Sequence, residues 1–114
     1  MTVQRLDPLV LAELKELLED DFTDLISTFI RDTQQRLELL ASAILTEDFS
    51  SARMSAHSLK GSSINIGFVQ FAQLCHEMEE AAKATKLDGC RTLLPTLLVE
   101  AEWVLEQLEL LISE

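Results

Sequence analysis

The chain has 114 residues, of which 47% are hydrophobic, and this is enough for one domain with a modest core. Its formal net charge of -11 argues against nucleic acids and anionic membrane surfaces as partners, because both attract a surplus of lysine and arginine. Three glycines and two prolines leave long stretches without a helix breaker. Residues 1–114 are therefore predicted to form a single all-α domain.

The sequence also indicates a compartment. It has no run of about 18 apolar residues, the length that a transmembrane helix needs. The first ten residues lack the basic and then apolar pattern of a secretory signal. Cys75 and Cys90 are isolated thiols, a usage that favours a reducing environment over a disulfide. We therefore expect a cytoplasmic protein without membrane association.

The first half of the chain predicts two helices. A short one begins with Asp7 as its N-cap and Pro8 in its first turn. The acidic residues at 19–21 interrupt it and can cap the next helix. That second helix is predicted from about residue 21 to residue 46, because its apolar residues follow the helical period. With Thr33 between them, these residues are Phe22, Ile26, Phe29, Leu37, Leu40 and Ile44.

The second half predicts three more helices. Asp48 is the expected N-cap of a helix that runs to about Asn65, and Gly67 breaks the chain after it. The segment KLDG at 86–89 is predicted as a turn between the last two helices. Pro95 must either lie in the first turn of the last helix or kink it, and the sequence leaves both open. The expected stripe of the fourth helix is Phe71, Leu74, Cys75, Met78 and Ala82.

Short connections between long amphipathic helices imply that neighbours run in opposite directions. The predicted fold is therefore an antiparallel, up-down-up-down four-helix bundle with a short N-terminal helix.

The third helix carries two different faces when its residues are placed at intervals of 100°. One is a seam of small and apolar residues that predicts close packing in the core, namely Ala52, Ala56, Leu59, Ser63 and Ile66. The other is a lateral cluster that contains Arg53, His57, Lys60, Gly61 and Ile64. Because the cluster lies away from the seam, we expect His57 and Lys60 on the exposed side of the helix.

Each member of the cluster has a physical interpretation. Histidine is a nitrogen nucleophile that titrates near neutral pH. Lys60 is the surface neighbour of His57 and could pair with an anion held at the imidazole. Gly61 costs about 1 kcal/mol relative to alanine in a helix, and its missing side chain would let another macromolecule approach His57. Ile64 could anchor a partner or pack against the fourth helix, and we favour packing.

The segment HSLKGSSINIG at 57–67 resembles the motif of histidine-containing phosphotransfer (HPt) domains: His, any residue, Leu, Lys, Gly, two small residues and a later Gly. The stretches FAQLCHEMEE at 71–80 and TLLPTLLVEAEWVLEQL at 92–108 are similar to helices of the same family. The likeness covers essentially the whole chain, and its specificity is concentrated in 57–67. Phe68 departs from the pattern, since a small residue is common there, and could alter packing at the turn. The resemblance implies a helical bundle that relays phosphoryl groups between receiver domains.

The resemblance also implies roles by position. His57 would be the phosphoacceptor, Lys60 would balance phosphate charge, and Gly61 would allow a receiver to dock. Glu79 matches a residue of the next helix that orients the imidazole, so its carboxylate should lie within hydrogen-bond reach of a His57 ring nitrogen.

The implied partners are receiver domains of response regulators or of a hybrid sensor kinase, which would dock over a surface that includes Arg53 and Ile64. The chain itself would be a monomeric phosphate carrier without a cofactor, and Mg²⁺ would be bound by the receiver. It has no GxxxxGK[ST] loop for nucleotide phosphates, so we expect no ATP-dependent kinase activity.

The same residues allow three other interpretations. A metal-binding bundle would use Glu-x-x-His pairs, but Gln73 stands three residues before His76, and Met54 three before His57. A non-catalytic interaction module would leave His57 dispensable for partner function. His76 as an alternative phosphoacceptor lacks a neighbouring cation and a neighbouring gap.

Overall fold

The computed structural model describes residues 4–113, so residues 1–3 and 114 of the predicted domain lie outside the described range. Its elements are α1 (Pro8–Leu18), a 3₁₀ turn (Glu19–Asp21), α2 (Phe22–Leu45), α3 (Phe49–Asn65), α4 (Val69–Lys83) and α5 (Leu87–Ile112). Helices α2 to α5 form a closed ring in which α2 and α4 each contact both α3 and α5. The predicted all-α bundle with a short N-terminal helix is confirmed. None of these helices combines the length and the apolar character that a membrane span requires.

Local signals set most of the helix ends as predicted. The Asp7 side chain accepts a hydrogen bond from the Leu9 backbone at 3.1 Å. The Asp48 side chain accepts one from the Ser51 backbone, also at 3.1 Å, and begins α3. The acidic turn separates α1 from α2, as predicted. The side chain of Asp21 makes no capping hydrogen bond, so the predicted N-cap of α2 is wrong.

The turn before α5 comes earlier than predicted. The chain reverses at residues 84–86, where Thr85 has a φ of +53°, and Leu87 already lies in the helix. The predicted turn at 86–89 is therefore wrong for its last three residues. The physical reason is that aspartate is favoured in the first turn of a helix as well as in turns, because it faces the positive end of the helix dipole. Asp88 occupies this first-turn position.

Pro95 lies inside α5 and not in its first turn, so the first of the two alternatives is excluded. Helical structure continues on both sides of it. Proline cannot donate to the carbonyl four residues earlier, which is that of Arg91. Arg91 and Pro95 are both exposed, so water can donate a hydrogen bond to the unpaired Arg91 carbonyl. The helix therefore tolerates the proline.

The predicted stripes of α3 and α4 both enter the core, which buried residues of α2 and α5 complete. All five residues of the α3 seam are buried, and so are all five stripe residues of α4. Phe68, where the family pattern favours a small residue, is fully buried and meets Trp103 edge to face, with the ring centroids 5.9 Å apart. Cys75 and Cys90 are free and buried, and burial raises the pKa of the Cys75 thiol to about 12, which disfavours its reactive thiolate.

The segment before α1 is tied to the end of the bundle where α3 joins α4. The Arg5 guanidinium forms an ion pair with Glu100 of α5 at 2.8 Å and lies 3.8 Å above the Trp103 ring. The Asp7 backbone N–H donates to the Gly67 carbonyl at 2.8 Å. Gly67 itself has a φ of +85°, and a Cβ there would lie 2.9 Å from both the Asp7 carbonyl oxygen and the Val10 Cβ.

Gly67→Ala is therefore expected to lower the free energy of unfolding by about 1–3 kcal/mol, the usual range for a strained backbone position. Gly89→Ala is the matched control, because a Cβ there would meet its neighbours at 3.5 Å or more, in ordinary contact. Urea unfolding midpoints of the two variants measure the difference. Equal midpoints for Gly67→Ala and the unchanged protein would contradict the assigned strain.

Candidate functional site

The His57 ring is held from one side and open on the other. Its side chain is 67% exposed on α3, and Nδ1 lies 2.8 Å from Oε2 of Glu79, which α4 supplies. An ionised carboxylate can only accept hydrogen bonds, so Nδ1 carries the proton and donates it. The lone pair of Nε2 is then free for attack on an electrophile. The expected distance between Glu79 and the ring is confirmed.

Glu79 is the buried centre of the site. Its second oxygen, Oε1, lies 2.6 Å from the Lys60 ammonium. Oε1 has no partner with hydrogen-bond geometry among the described residues, so this contact is an ion pair. Burial raises the pKa of the Glu79 carboxyl, but the contacts with Lys60 and His57 outweigh burial and hold it below its ordinary value. The carboxylate therefore stays ionised at neutral pH.

Lys60 does not share the exposure of His57. Its side chain is 23% exposed, because its ammonium turns toward Glu79. The expectation that both residues lie on the exposed side of α3 is therefore wrong for Lys60. A helical wheel gives the direction of a side chain, but not the position of a carboxylate on the next helix that draws it inward.

Gly61 opens the surface beside His57. A Cβ at this position would have no atom within 4 Å, so the glycine is not required by packing inside this chain. The residue lines a groove of about 510 Å³ between α2 and α3, and His57 lines the same groove. The predicted gap is present, and its use by a partner remains a prediction.

Gly61→Ala is expected to stabilise the bundle by up to about 1 kcal/mol through helix propensity. Gly61→Gln is expected to slow the phosphoryl transfer from a receiver domain that the motif resemblance implies, because the longer side chain would occupy the space beside His57. Thermal melting and a transfer assay on both variants measure the two effects. A folded Gly61→Gln protein that accepts the phosphoryl group at the normal rate would contradict the clearance role.

The remaining members of the cluster lie on the surface. Arg53 is exposed and lines a depression with His57 and Glu79. Ile64 is 57% exposed, so the favoured packing against α4 is wrong. The reason is its register, because a residue two turns after His57 shares the outward direction of the histidine.

Sequence reasoning missed the contribution of α2. Arg36 and Asp32 of this helix line the same groove as His57. Each precedes a residue of the predicted α2 stripe by one position, so they border its buried face. The helical period of α2 places both residues at the edge of its buried face, but the period alone does not show that this edge faces α3.

The fold and the site together define a helical bundle that presents a positioned surface histidine. A family model described as "Hpt domain" matches residues 24–114, and the chain belongs to this family.

The relatives are similar over the whole fold. The crystal structure of histidine-containing phosphotransfer protein B (HptB) from Pseudomonas aeruginosa superposes with a TM-score of 0.92 at 34% identity, covering 98% of this chain and 97% of that one. The HPT domain of a hybrid histidine kinase from Shewanella has a TM-score of 0.79 at 18% identity, covers 96% of this chain and 94% of that one, and shows the fold alone.

A curated relative, histidine-containing phosphotransfer protein 2 of Arabidopsis thaliana, is 35% identical over 85 residues, or 68% of this chain. The chain spans about half the length of that relative, 54% of it.

Proposed function

We propose that this chain accepts a phosphoryl group on His57 from the aspartate of one receiver domain and passes it to the aspartate of another. The observation that carries the proposal is the hydrogen bond of 2.8 Å between His57 Nδ1 and Glu79, which leaves Nε2 of an exposed ring free. The family of the chain supports the same reaction.

In the forward step, the Nε2 lone pair attacks the phosphorus of the phosphoaspartate. A P–N bond forms, the P–O bond to the aspartate breaks, and the electron pair returns to the aspartate carboxylate. Nδ1 keeps its proton, so the ring becomes cationic, and the Glu79 carboxylate stabilises that charge as in other carboxylate–histidine pairs. Transfer to the second receiver reverses these bond changes.

Lys60 contributes positive charge beside this reaction. A phosphoryl group brings a charge of about -1.5 to -2, so an adjacent ammonium is favourable. The ion pair with Glu79 adds a second role, because it keeps the carboxylate ionised and in place next to the ring.

The proposed partners are receiver domains, which would bind the Mg²⁺ that transfer requires, and the chain itself would carry no cofactor and act as a monomer. No ATP-dependent step is assigned to it. We place the reaction in the cytoplasm, a location that agrees with two free thiols.

The test is to incubate the purified chain with receiver domains that carry a labelled phosphoryl group. We expect transfer of an acid-labile, alkali-stable label, the behaviour of a phosphohistidine. Labelled ATP alone should give no labelled protein. Labelling from ATP alone would contradict a pure carrier, and receiver binding without label transfer would favour a non-catalytic interaction module.

A further inference from the structure

Arg36 of α2 lines the same groove as His57 but has no role in the function proposed above. It is exposed and lines the groove of about 510 Å³ that His57 and Gly61 also line. It forms no ion pair within residues 4–113, although Asp32 lies one turn before it on the same helix. Its guanidinium is therefore available to a partner.

A second part of the groove lies on the far side of Arg36 from His57, again between α2 and α3. Arg36 and Ser58 line both the part beside His57 and a second part that Leu39 and Met54 border. Leu39 is 52% exposed and Met54 is 68% exposed. The free cation thus lines both the part of the groove that contains the reactive ring and the part that contains two exposed apolar side chains. Arginine and methionine are both enriched at protein interfaces.

The chemistry of the proposed partner is acidic where it meets His57. The proposed receiver would hold Mg²⁺ next to its phosphorylated aspartate, and Mg²⁺ is bound through carboxylates and other oxygen ligands. This chain has a net charge of -11, so its long-range field opposes the approach of such a surface. A local cation that forms paired hydrogen bonds with a carboxylate would offset this repulsion and fix the orientation of the partner.

We propose that Arg36 is a receiver-docking residue, and that its guanidinium binds a carboxylate of the receiver domain that docks over His57. The inference rests on the proposed function, because it needs a receiver as the partner. It assigns Arg36 to the docked complex and not to the bond-making step.

The test measures the rate of label transfer to Arg36→Ala, Arg36→Glu and Arg36→Lys proteins against receiver concentration. We expect Arg36→Ala to raise KM about tenfold with little change in kcat, since the charge pair forms on docking. Arg36→Glu should raise KM further, and Arg36→Lys should restore part of the loss. Arg31→Glu is the matched control, because Arg31 is exposed on the same helix but does not line the groove. Its KM should stay within about twofold of the unchanged protein.

Three results would overturn the assignment. The first is an Arg36→Glu protein with an unchanged KM, and the second is an equal rise for Arg31→Glu, which would indicate a general charge effect. The third is a shorter lifetime of phosphorylated Arg36→Ala protein without any receiver, which would place the guanidinium on the phosphoryl group instead. If the unchanged protein accepts no label from any receiver, the proposed function itself is wrong and this inference falls with it.

Discussion

His57→Gln is expected to abolish acceptance of the phosphoryl group while the bundle stays folded. Glutamine has no nucleophilic ring nitrogen, and no other described residue combines such a nitrogen with a carboxylate partner. The side chain is 67% exposed, so its replacement should change the free energy of unfolding by less than about 1 kcal/mol. Label transfer from a phosphorylated receiver measures the function, and helical content with the melting temperature measures the fold.

His76→Gln is the control for this experiment. His76 is exposed on α4, so its substitution should leave both the fold and the acceptance of label unchanged. A folded His57→Gln protein that still accepts label, together with a His76→Gln protein that does not, would move the phosphoacceptor to α4.

Glu79→Ala is expected to slow acceptance about 10- to 100-fold, by analogy with the loss of a carboxylate that orients a metal-bound histidine. The imidazole would lose the acceptor for Nδ1–H, and Lys60 would lose its ion pair. Glu79→Gln separates the two effects, because the amide oxygen can still accept from Nδ1 while the negative charge is gone. We expect an intermediate rate for Glu79→Gln, and rates equal to that of the unchanged protein for both variants would contradict the orienting role.

The same carboxylate predicts a pH dependence of stability. The pKa of Glu79 in the folded chain lies below its ordinary value of 4.5. Ionised Glu79 therefore stabilises the fold above that value, and this contribution is lost as the pH falls from about 4.5 through the lower folded pKa. The difference in unfolding free energy between the unchanged protein and Glu79→Gln should be larger at pH 7 than at about pH 3. A difference that is constant with pH would contradict the shift.

The sequence predicted features that depend on one helix at a time. The seam of α3 and the Asp48 cap follow from the helical period and from a side chain next to its own backbone donors. The pairing of His57 with Glu79 was expected from the family resemblance, since no period relates residues on two helices. The features that the sequence did not predict depend on how neighbouring helices pack together. Lys60 turns inward because a carboxylate of α4 attracts it, and Arg36 borders the site because α2 packs on α3.

The pairing of His57 with Glu79 joins residues only 22 positions apart, on two consecutive helices with a short connection. The reactive centre is thus a property of one helical hairpin, with a short loop to close during folding. Substitutions in α1 or in most of α5 would then change the stability of the bundle without changing the reactivity of the His57 ring in the folded protein. Related proteins could therefore vary the exposed residues of α1 and α5 and keep the same chemistry.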